Sequence, residues 1–308
     1  MITLRTAIAG PALREFVRIF AQREVTSFQS GTACVVEPIP ARLEQTLEFQ
    51  FGIPYTVHHS LGHDLTTPEQ AMIGAQVTGC AHIELQPGIV SFGVFFGPTG
   101  LSRLFGVPVA EISHKSHDAA LVLGMIRAVR ERIGACSSFE ERVQVMEELL
   151  LALAARARER TPMLSVAEHV FARRGVVGSM SQLAASAGLG IRQFERLFVR
   201  EVGIAPKLYA RVARFQSALD MKIAVPRLTW LEIAHQLCYH DQMHMIHDFQ
   251  MLGGDTPKQL LAQIGDGRPS AVAVKEKYFA DDAFLLVRGS RDPGSLLAKD
   301  HENGQSGT

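Results

Sequence analysis

Residues 181–209 read SQLAASAGLGIRQFERLFVREVGIAPKLY, and residues 231–260 repeat the same pattern as LEIAHQLCYHDQMHMIHDFQMLGGDTPKQL. In each copy a short helical stretch ends at a break, and a second helical stretch with large apolar residues follows. Each copy then closes on a Gly-x-x-Pro motif, Gly203 to Pro206 in the first and Gly254 to Pro257 in the second. A short helix, a turn and a second helix form a helix-turn-helix unit, so the sequence predicts two such units.

Capping residues mark the start of the first helix in each copy. Ser179 with Gln182, and Thr229 with Glu232, fit the S/T-x-x-E/Q capping box. In this box the two side chains accept hydrogen bonds from amides that the first helical turn leaves unpaired. We therefore predict that a helix begins directly after Ser179 and another directly after Thr229.

The turn that follows differs between the copies. In the first copy Gly188 can adopt the left-handed backbone conformation that ends many helices, because glycine has no Cβ. The equivalent residue in the second copy is Cys238, whose side chain makes a positive φ costly. The sequence thus predicts the same turn twice, with a steric cost in the second copy.

The second helix of each copy has two different sides. Phe194, Leu197 and Phe198 make one side apolar in the first copy, and Met245 and Phe249 do so in the second. We expect the opposite side to enter the major groove of double-stranded DNA, as the second helix of such a unit does. The residues on these opposite sides are Arg192, Glu195 and Arg196 in the first copy, and Gln242, Met243, Ile246 and His247 in the second.

The spacing between the copies agrees with DNA geometry. The stretch from Pro206 to Ala224 contains no further Gly or Pro, and Leu208, Val212 and Phe215 lie on one apolar stripe. A helix of these 19 residues spans roughly 28 Å. Two recognition helices on one face of B-DNA lie about 34 Å apart, so a helix of this length nearly covers that distance.

Residues from about 165 to 264 resemble the DNA-binding domain of AraC/XylS-type transcription regulators, in which a long helix joins two helix-turn-helix units. Motifs that recur in order across about a third of the chain carry this resemblance. They are Leu183-Ala184 with Gly188, Arg196 with Phe198, Gly203 with Pro206, Ile233-Ala234 with Tyr239, and Phe249 with Gly254-x-x-Pro257. The resemblance implies a transcription regulator without enzymatic activity, with double-stranded DNA and RNA polymerase as partners.

The resemblance also implies which residues contact bases. These are Arg192, Gln193, Glu195 and Arg196 in the first unit, and Gln242, Met243, His244 and His247 in the second. Arg200 is expected to contact a phosphate, whereas Arg211 and Arg214 on the connecting helix either do likewise or stay in solvent. Two departures from the family, Cys238 in the turn and His247 where arginine is frequent, predict weaker or less selective binding by the second unit.

Composition limits the other classes of protein. The 308 residues include 47% hydrophobic and 20% charged residues, which suits a soluble chain of two domains. We find no signal peptide and no apolar run of membrane-spanning length, so we expect a cytoplasmic protein with no membrane partner. Residues 160–265 carry 12 Lys/Arg against 8 Asp/Glu (+4), and residues 1–159 carry 13 against 16 (−3). A mildly basic DNA reader joined to a mildly acidic partner domain agrees with a regulator.

The N-terminal half has the period of β-strands. Leu47, Phe49, Phe51 and Ile53 alternate with polar residues and glycine, and residues 82–96 predict a hairpin around a Pro87-Gly88 turn. Helices are predicted after Pro98, over a short LSRLFGV segment, from about Asp118 to Ile133, and from Ser138 to Arg160. This order resembles the cupin-like sensory domains of the same regulator family. Phenylalanines on alternating strand positions then predict a small apolar or mixed effector: Phe49, Phe51, Phe92 and Phe96.

The helix from Ser138 admits two interpretations. Phe139, Val143, Met146, Leu150 and Leu153 fall at alternating steps of four and three, which is the spacing of a coiled-coil seam. Only about two heptads are present, so a helix packed on its own domain is favoured over a homodimer interface. Both interpretations stay open at this point.

Histidines give the one hint of another chemistry. His58, His59 and His63 are clustered, and His82 lies two residues before Glu84 on a predicted strand. A cupin-like barrel can hold a metal with such groups, which makes a metal-dependent cupin-type enzyme or ligand-binding protein the alternative function. Since no two of these histidines form a clear ligand pair, and Cys34, Cys80, Cys136 and Cys238 lack metal-site spacing, we expect no metal, no cofactor and no catalytic residue.

The sequence therefore predicts an α+β protein of three parts. Residues 1–160 form a β-rich, cupin-like sensing or dimerisation domain with helices at its end. Residues 161–265 form an all-α domain of two helix-turn-helix units joined by a long helix. Residues 266–308 form a tail, of which the last part has the composition of a disordered segment.

Overall fold

A computed structural model describes residues 2–28, 33–59, 64–77, 79–113, 116–157, 159 and 161–265. The predicted order, a β-rich half followed by helices, is confirmed. His63 and the tail 266–308 lie outside the described residues. The strands are β1 Ile2–Ile8, β2 Val17–Val25, β3 Val35–Ile39, β4 Gln45–Gln50, β5 Thr56–His59, β6 Asp64–Thr66, β7 Gln70–Ile73, β8 Ala81–Leu85, β9 Val90–Phe96 and β10 Ser116–Asp118.

The strands form two antiparallel sheets. The larger sheet has the order β1-β2-β9-β4-β7-β10, and the smaller has the order β3-β8-β5-β6. Side chains from all ten strands line one cavity, so the two sheets face each other across it. Short 3-10 turns at Pro11–Leu13 and Ala119–Leu121 join elements at the edge of the larger sheet.

The predicted hairpin over residues 82–96 is wrong. The Pro87-Gly88 turn is present, and Gly88 has a φ of +96°. However, β8 pairs with β3 and β5, whereas β9 pairs with β2 and β4. The chain therefore crosses from one sheet to the other at this turn, and the amide of Gly88 donates to the carbonyl of Val25 rather than across a hairpin. Alternation along a strand reports which face is buried and contains no information about the neighbouring strand.

Eleven helices lie within the described residues. The helices from Pro162 onward pack mostly on one another, and the helix Pro206–Ala224 matches the predicted connecting helix. The helices are α1 Gly100–Phe105, α2 Val109–Ile112, α3 Ile126–Gly134, α4 Phe139–Ala154, α5 Pro162–Ala172, α6 Met180–Ser186, α7 Ile191–Val202, α8 Pro206–Ala224, α9 Trp230–Gln236, α10 Gln242–Gly253 and α11 Pro257–Gly265. None of them is long and apolar enough to cross a membrane.

The helix predicted over residues 118–133 begins later than expected. Residues Ser116–Asp118 form β10 on the edge of the larger sheet, and a 3-10 turn follows in which Asp118 accepts a hydrogen bond from the amide of Ala120. α3 therefore starts only at Ile126. Asp118, which the helical pattern had included in the helix, instead pairs with β7, a strand distant in sequence.

The stripe of α4 packs inside its own domain. Phe139, Met146 and Leu150 are buried, and Val143 and Leu153 pack against the same cluster. That cluster also contains Phe49, Phe92 and Phe96 from the larger sheet. The intradomain interpretation of α4 is therefore confirmed, and this stripe is not available to a second copy of the chain.

Candidate DNA-binding interface

The second helix of the first unit, α7, is held by its aromatic side. Phe194 and Phe198 are fully buried, with ring centroids 5.7 Å apart, and Phe198 contacts Tyr209 of α8 edge to face at 5.5 Å. Such aromatic contacts fix the rotation of α7 about its own axis. The opposite side of α7 is exposed, and it contains all four predicted base-contacting residues: Arg192, Gln193, Glu195 and Arg196.

The second helix of the second unit, α10, is held in the same way. Phe249 is fully buried, and its ring centroid lies 4.8 Å from that of Phe215 and 5.4 Å from that of Trp230. On the other side Met243 is 68% exposed. His244 and His247 are also exposed, whereas Gln242 and Ile246 are half-buried.

Both turns have the predicted geometry. Gly188 has a φ of +68° and Cys238 a φ of +52°. In the first turn the amide of Leu189 donates to the carbonyl of Ala184 at 3.0 Å, and in the second the amide of Tyr239 donates to that of Ala234 at 2.9 Å. Cys238 thus adopts a backbone conformation that is unfavourable for a residue with a Cβ. It does so because the second unit has the same turn as the first. The two capping boxes, at Ser179–Gln182 and Thr229–Glu232, are also confirmed.

A buried ion pair that the sequence analysis missed fixes α10 against α8. The carboxylate of Asp248 is fully buried and accepts from Nε of Arg211 at 2.6 Å, and Nη2 of Arg214 lies 3.9 Å from its other oxygen. The guanidinium of Arg214 also covers the ring of Tyr239 at 4.4 Å. Arg211 and Arg214 therefore lie beside Asp248 rather than free in solvent, and contact with a phosphate stays a prediction. A signal was present, because Asp248 lies between Met245 and Phe249 on the apolar side of the helix.

The C-terminal end of α7 is capped by side chains from the β-rich region, residues 2–118. The hydroxyl of Ser102 donates to the carbonyl of Glu201 at 3.2 Å, and Nε2 of Gln45 donates to that of Val202 at 3.0 Å. The hydroxyl of Ser113 donates to the carbonyl of Gly203 at 2.9 Å. The last carbonyls of a helix have no partner within it, so these contacts tie the first recognition helix to the β-rich region.

The end of α10 contacts the same region through the β3–β4 connection, residues 40–44. The amide of Ala41 donates to the carbonyl of Leu252 at 2.7 Å, and Nε2 of Gln216 on α8 donates to the carbonyl of Ala41 at 3.3 Å. Gly254 follows α10 with a φ of +79°, and a Cβ there would lie 2.8 Å from the Cβ of Cys80. Both recognition helices therefore end on the β-rich region, and the spacing of 90 to 211 residues between these partners left no signal in the sequence.

The two recognition helices start differently. No side chain caps α7, which follows Gly190, whereas Asp241 caps α10 by accepting from the amide of His244 at 2.7 Å. That hydrogen bond, followed by one from His240, lowers the pKa of the Asp241 carboxyl. At the other end of α7, Arg200 is 68% exposed and pairs with Glu201 at 2.8 Å.

The histidines near β5 point to opposite sides of the smaller sheet. His58 faces outward, where its ring nitrogens lie 2.8 Å from Asp64 and 3.2 Å from Glu84. These two carboxylates, Asp64 first, raise the pKa of His58. His59 lines the cavity instead. Within the described residues no group of three or more His, Cys, Asp or Glu side chains is placed to hold a metal ion.

The cavity between the sheets has a volume of about 80 Å³. The phenylalanines expected to line an effector site do not contribute to it, since Phe49, Phe92 and Phe96 lie on the opposite face of the larger sheet, against the helices. The expectation that these phenylalanines line the site is therefore wrong, and the phenylalanine that does line it is Phe95 of β9. The lining combines aliphatic residues with charged and polar groups, among them Arg23, Arg42, Glu48 and Tyr55.

Comparisons with known proteins agree with the C-terminal geometry. Residues 183–263 match a family model described as a helix-turn-helix domain. No curated protein matches the chain.

Two solved regulators have a distant structural likeness to the chain. ToxT from Vibrio cholerae O395 is 8% identical with a TM-score of 0.45, and the match covers 87% of this chain and 99% of that one. The AraC-like transcriptional activator CuxR is 11% identical with a TM-score of 0.27, over 70% of this chain and 86% of that one. At these scores the likeness carries no functional information. The matched helix-turn-helix model, together with two units on one connecting helix, shows that this chain carries an AraC-type helix-turn-helix domain on its C-terminal side.

Proposed function

We propose that the protein is a sequence-specific regulator of transcription that places α7 and α10 in successive major grooves of double-stranded DNA. One observation carries this proposal: two helix-turn-helix units of the same design present exposed sides and are joined by a 19-residue helix. That helix spans roughly 28 Å, against about 34 Å for one turn of B-DNA. In this proposal residues 161–265 are the DNA-binding domain and residues 1–160 the sensing domain.

The side chains on α7 suit direct reading of bases. Arg192 and Arg196 can each donate two hydrogen bonds to the edge of a guanine, and Gln193 can pair with an adenine. Glu195 can accept from a cytosine. Arg200 lies one turn further along the helix and must exchange its exposed pair with Glu201 to reach a phosphate, which costs little because surface ion pairs are weak.

The side chains on α10 suit a different kind of reading. Met243 can contact the methyl group of a thymine, and Gln242 can pair with an adenine. His244 and His247 have ring nitrogens for bases or phosphates, yet neither supplies the planar fork of an arginine. We therefore assign most of the affinity to α7 and a smaller share to α10.

Control by a small-molecule effector follows from where the helices end. The β-rich region caps α7 through Ser102, Gln45 and Ser113, and it contacts the end of α10 through Ala41. A ligand that changes the β-rich region can therefore change the spacing of the two recognition helices, and with it the fit to DNA. RNA polymerase and a second copy of this chain are the other proposed partners, and a dimer has to use a surface other than the stripe of α4.

Selection from a random library of double-stranded DNA tests the proposal with the full chain. We expect an enriched motif with two half-sites about 10 base pairs apart from centre to centre. Arg196→Ala should erase the preference in one half-site, and Gln242→Ala should weaken it in the other. Arg127→Gln, on the exposed side of α3, is the matched control and should select the same motif as the unchanged protein. A library that shows no enrichment after repeated rounds contradicts the proposal.

A further inference from the structure

The cavity between the two sheets contains buried hydrogen-bond donors that the protein leaves without a partner. Nε of Arg23, Nε of Arg42 and the hydroxyls of Thr46 and Ser116 are all buried, and none of them makes a hydrogen bond. All four residues line the cavity. Buried polar groups in folded proteins nearly always have partners, so four such groups around one space point to a bound molecule rich in acceptor atoms.

The two arginines reach the cavity from different elements, Arg23 from β2 and Arg42 from the β3–β4 connection. Arg23 is 8% exposed, so its guanidinium belongs to the interior and not to the surface. The Tyr55 hydroxyl donates to the carboxylate of Glu48. Burial and then Glu48 raise the pKa of Tyr55, whereas the positive charges of Arg23 and Arg42 act to lower it. Glu48 already has Tyr55 as its partner, and it forms no ion pair with either arginine.

The charges favour an anion with one negative charge. Apart from the imidazole of His59, the charged side chains in the described lining are two guanidiniums and one carboxylate, which leaves a net charge of +1. The other buried carboxyl group on this side of the smaller sheet, that of Glu37, is not part of the lining. A neutral ligand leaves the positive charge uncompensated, and a doubly charged one is repelled by Glu48.

The size and the remaining walls limit the ligand further. The volume of about 80 Å³ compares with roughly 10–15 Å³ for one water, so the space holds a molecule of about six non-hydrogen atoms. Aliphatic residues from both sheets complete the lining, among them Leu4, Ile39, Val57 and Ile83. A short hydrocarbon chain fits against these residues.

We propose that this cavity binds a small carboxylic acid as its anion, with Arg23 and Arg42 holding the carboxylate, and that this anion is the effector of the regulator. The effector role rests on the proposed function. Arg42 belongs to the β3–β4 connection, and the preceding residue, Ala41, is bonded to both α8 and α10. A carboxylate held by Arg42 therefore acts on the segment against which the second recognition helix ends.

Matched ligand pairs test the chemical class directly. Straight-chain carboxylates from acetate to octanoate are compared with their primary amides, which have the same shape without the charge. Thermal denaturation of the full chain at constant ionic strength is the readout, followed by calorimetric titration of any hit. We expect at least one carboxylate to raise the Tm by several degrees, with butyrate near the best size, and its amide to have no effect.

Variants assign the binding to the two arginines. Arg23→Gln and Arg42→Gln should each lower the affinity for the carboxylate at least tenfold, and Arg127→Gln should leave it unchanged. Thr46→Val keeps nearly the same volume and removes one donor, so it should give a smaller loss of affinity. It serves as the test if an arginine variant does not fold. A panel in which no carboxylate exceeds its amide overturns the proposal, and so does equal binding by the unchanged protein and both arginine variants.

DNA binding separates this proposal from the proposed function. With a selected DNA site, a saturating carboxylate should change the Kd at least threefold, and Arg42→Gln should abolish that change. Carboxylate binding without such coupling overturns the effector role. A selected DNA motif without carboxylate binding contradicts only the proposed ligand class. Carboxylate binding without any selected motif contradicts the proposed function as a regulator of transcription.

Discussion

The two helix-turn-helix units share a backbone design and differ in their side chains. Both have a capping box, a left-handed turn residue and a buried aromatic side on the second helix. α7 is positioned by tilted and edge-to-face aromatic rings and presents arginines. α10 is positioned by such rings and also by the buried carboxylate of Asp248, and it presents Met243 and His247. The comparison teaches that local rules reproduce the unit, while the side chains on each second helix decide how firmly it is held and what it can read.

The largest expected effect concerns the anchor of α10. Asp248→Ala leaves Arg211 and Arg214 without their counter-charge and should lower the free energy of unfolding by about 3 kcal/mol. We expect the low end of the range for buried pairs, because both arginines keep some contact with solvent. Urea denaturation measures the change, and Glu195→Ala on the exposed side of α7 is the control, expected within about 0.5 kcal/mol of the unchanged protein. A loss below about 1 kcal/mol for Asp248→Ala means that the pair does not anchor the helix.

The next largest expected effect concerns the recognition of bases by α7. Arg196→Ala should cost about 1–3 kcal/mol on a selected site and relax the preference at one base position. Arg200→Ala should instead weaken binding to all sequences alike and reduce the salt dependence, because a phosphate contact contains no base information. Fluorescence anisotropy with selected and random duplexes separates the two outcomes. Equal losses on both duplexes for Arg196→Ala would show that this residue does not read a base.

The second unit should gain from becoming more like the first. His247→Arg gives α10 a permanent charge and a planar donor fork, and we expect tighter binding by about 1 kcal/mol. His235→Arg on the exposed side of α9 adds the same charge outside the recognition helix, so it controls for charge alone. If both variants bind equally well, α10 does not engage DNA in the way proposed.

Exchanging the turn residues tests the backbone strain of the second unit. Gly188→Cys should lower the free energy of unfolding by about 1 kcal/mol, because a side chain at positive φ is disfavoured. An added Cβ at this position meets no heavy atom within 4 Å, so the backbone is the sole cause. Cys238→Gly relieves the same strain in the second turn but makes the unfolded chain more flexible, so we expect a change between zero and about 1 kcal/mol of stabilisation. Stabilisation by Gly188→Cys, or a clear destabilisation by Cys238→Gly, in urea denaturation would contradict the comparison.

The smallest effect separates the two helix starts. Asp241 caps α10 and has a lowered pKa, whereas Gly190 before α7 has no group that titrates. A carboxyl whose pKa is lower in the folded state stabilises the fold above its ordinary value of 3.8, and this contribution disappears as the pH falls through the lowered value. Asp241→Asn keeps a good cap without a titrating group, so its Tm should fall less than that of the unchanged protein between pH 5 and the acid range. Parallel Tm profiles would exclude the cap as a source of acid sensitivity.

Much of the helical part could be predicted from the sequence because its signals are local. The two capping boxes, the positive φ of Cys238 and the bounds of α8 depend on residues within a few positions of one another. The exposed sides of α7 and α10 follow from the position of their phenylalanines, since a helix repeats every 3.6 residues. Contact of these sides with DNA remains a prediction.

The β-rich half shows where such local signals end. Alternation correctly indicated strands around Leu47 and over residues 82–96, yet it could not assign β8 and β9 to different sheets. The same alternation marked Phe49 and Phe92 as buried without indicating the side on which they are buried, and the structure places them against helices. The cavity is lined instead by Arg23 and Arg42, which no local sequence pattern had indicated.

The two helix-turn-helix units follow from local sequence alone, because capping, turn conformation and amphipathic spacing act within a few residues and hold wherever the helix packs. Packing between distant segments is what brings Asp248 to Arg211, Gln45 and Ser113 to the end of α7, and Arg23 and Arg42 to one cavity. These partners lie 19 to 157 residues apart, and each pair exists because sheets and helices bring them together. The chemistry of a side chain limits the contacts that it can make, and the packing of the folded chain determines which of them it makes.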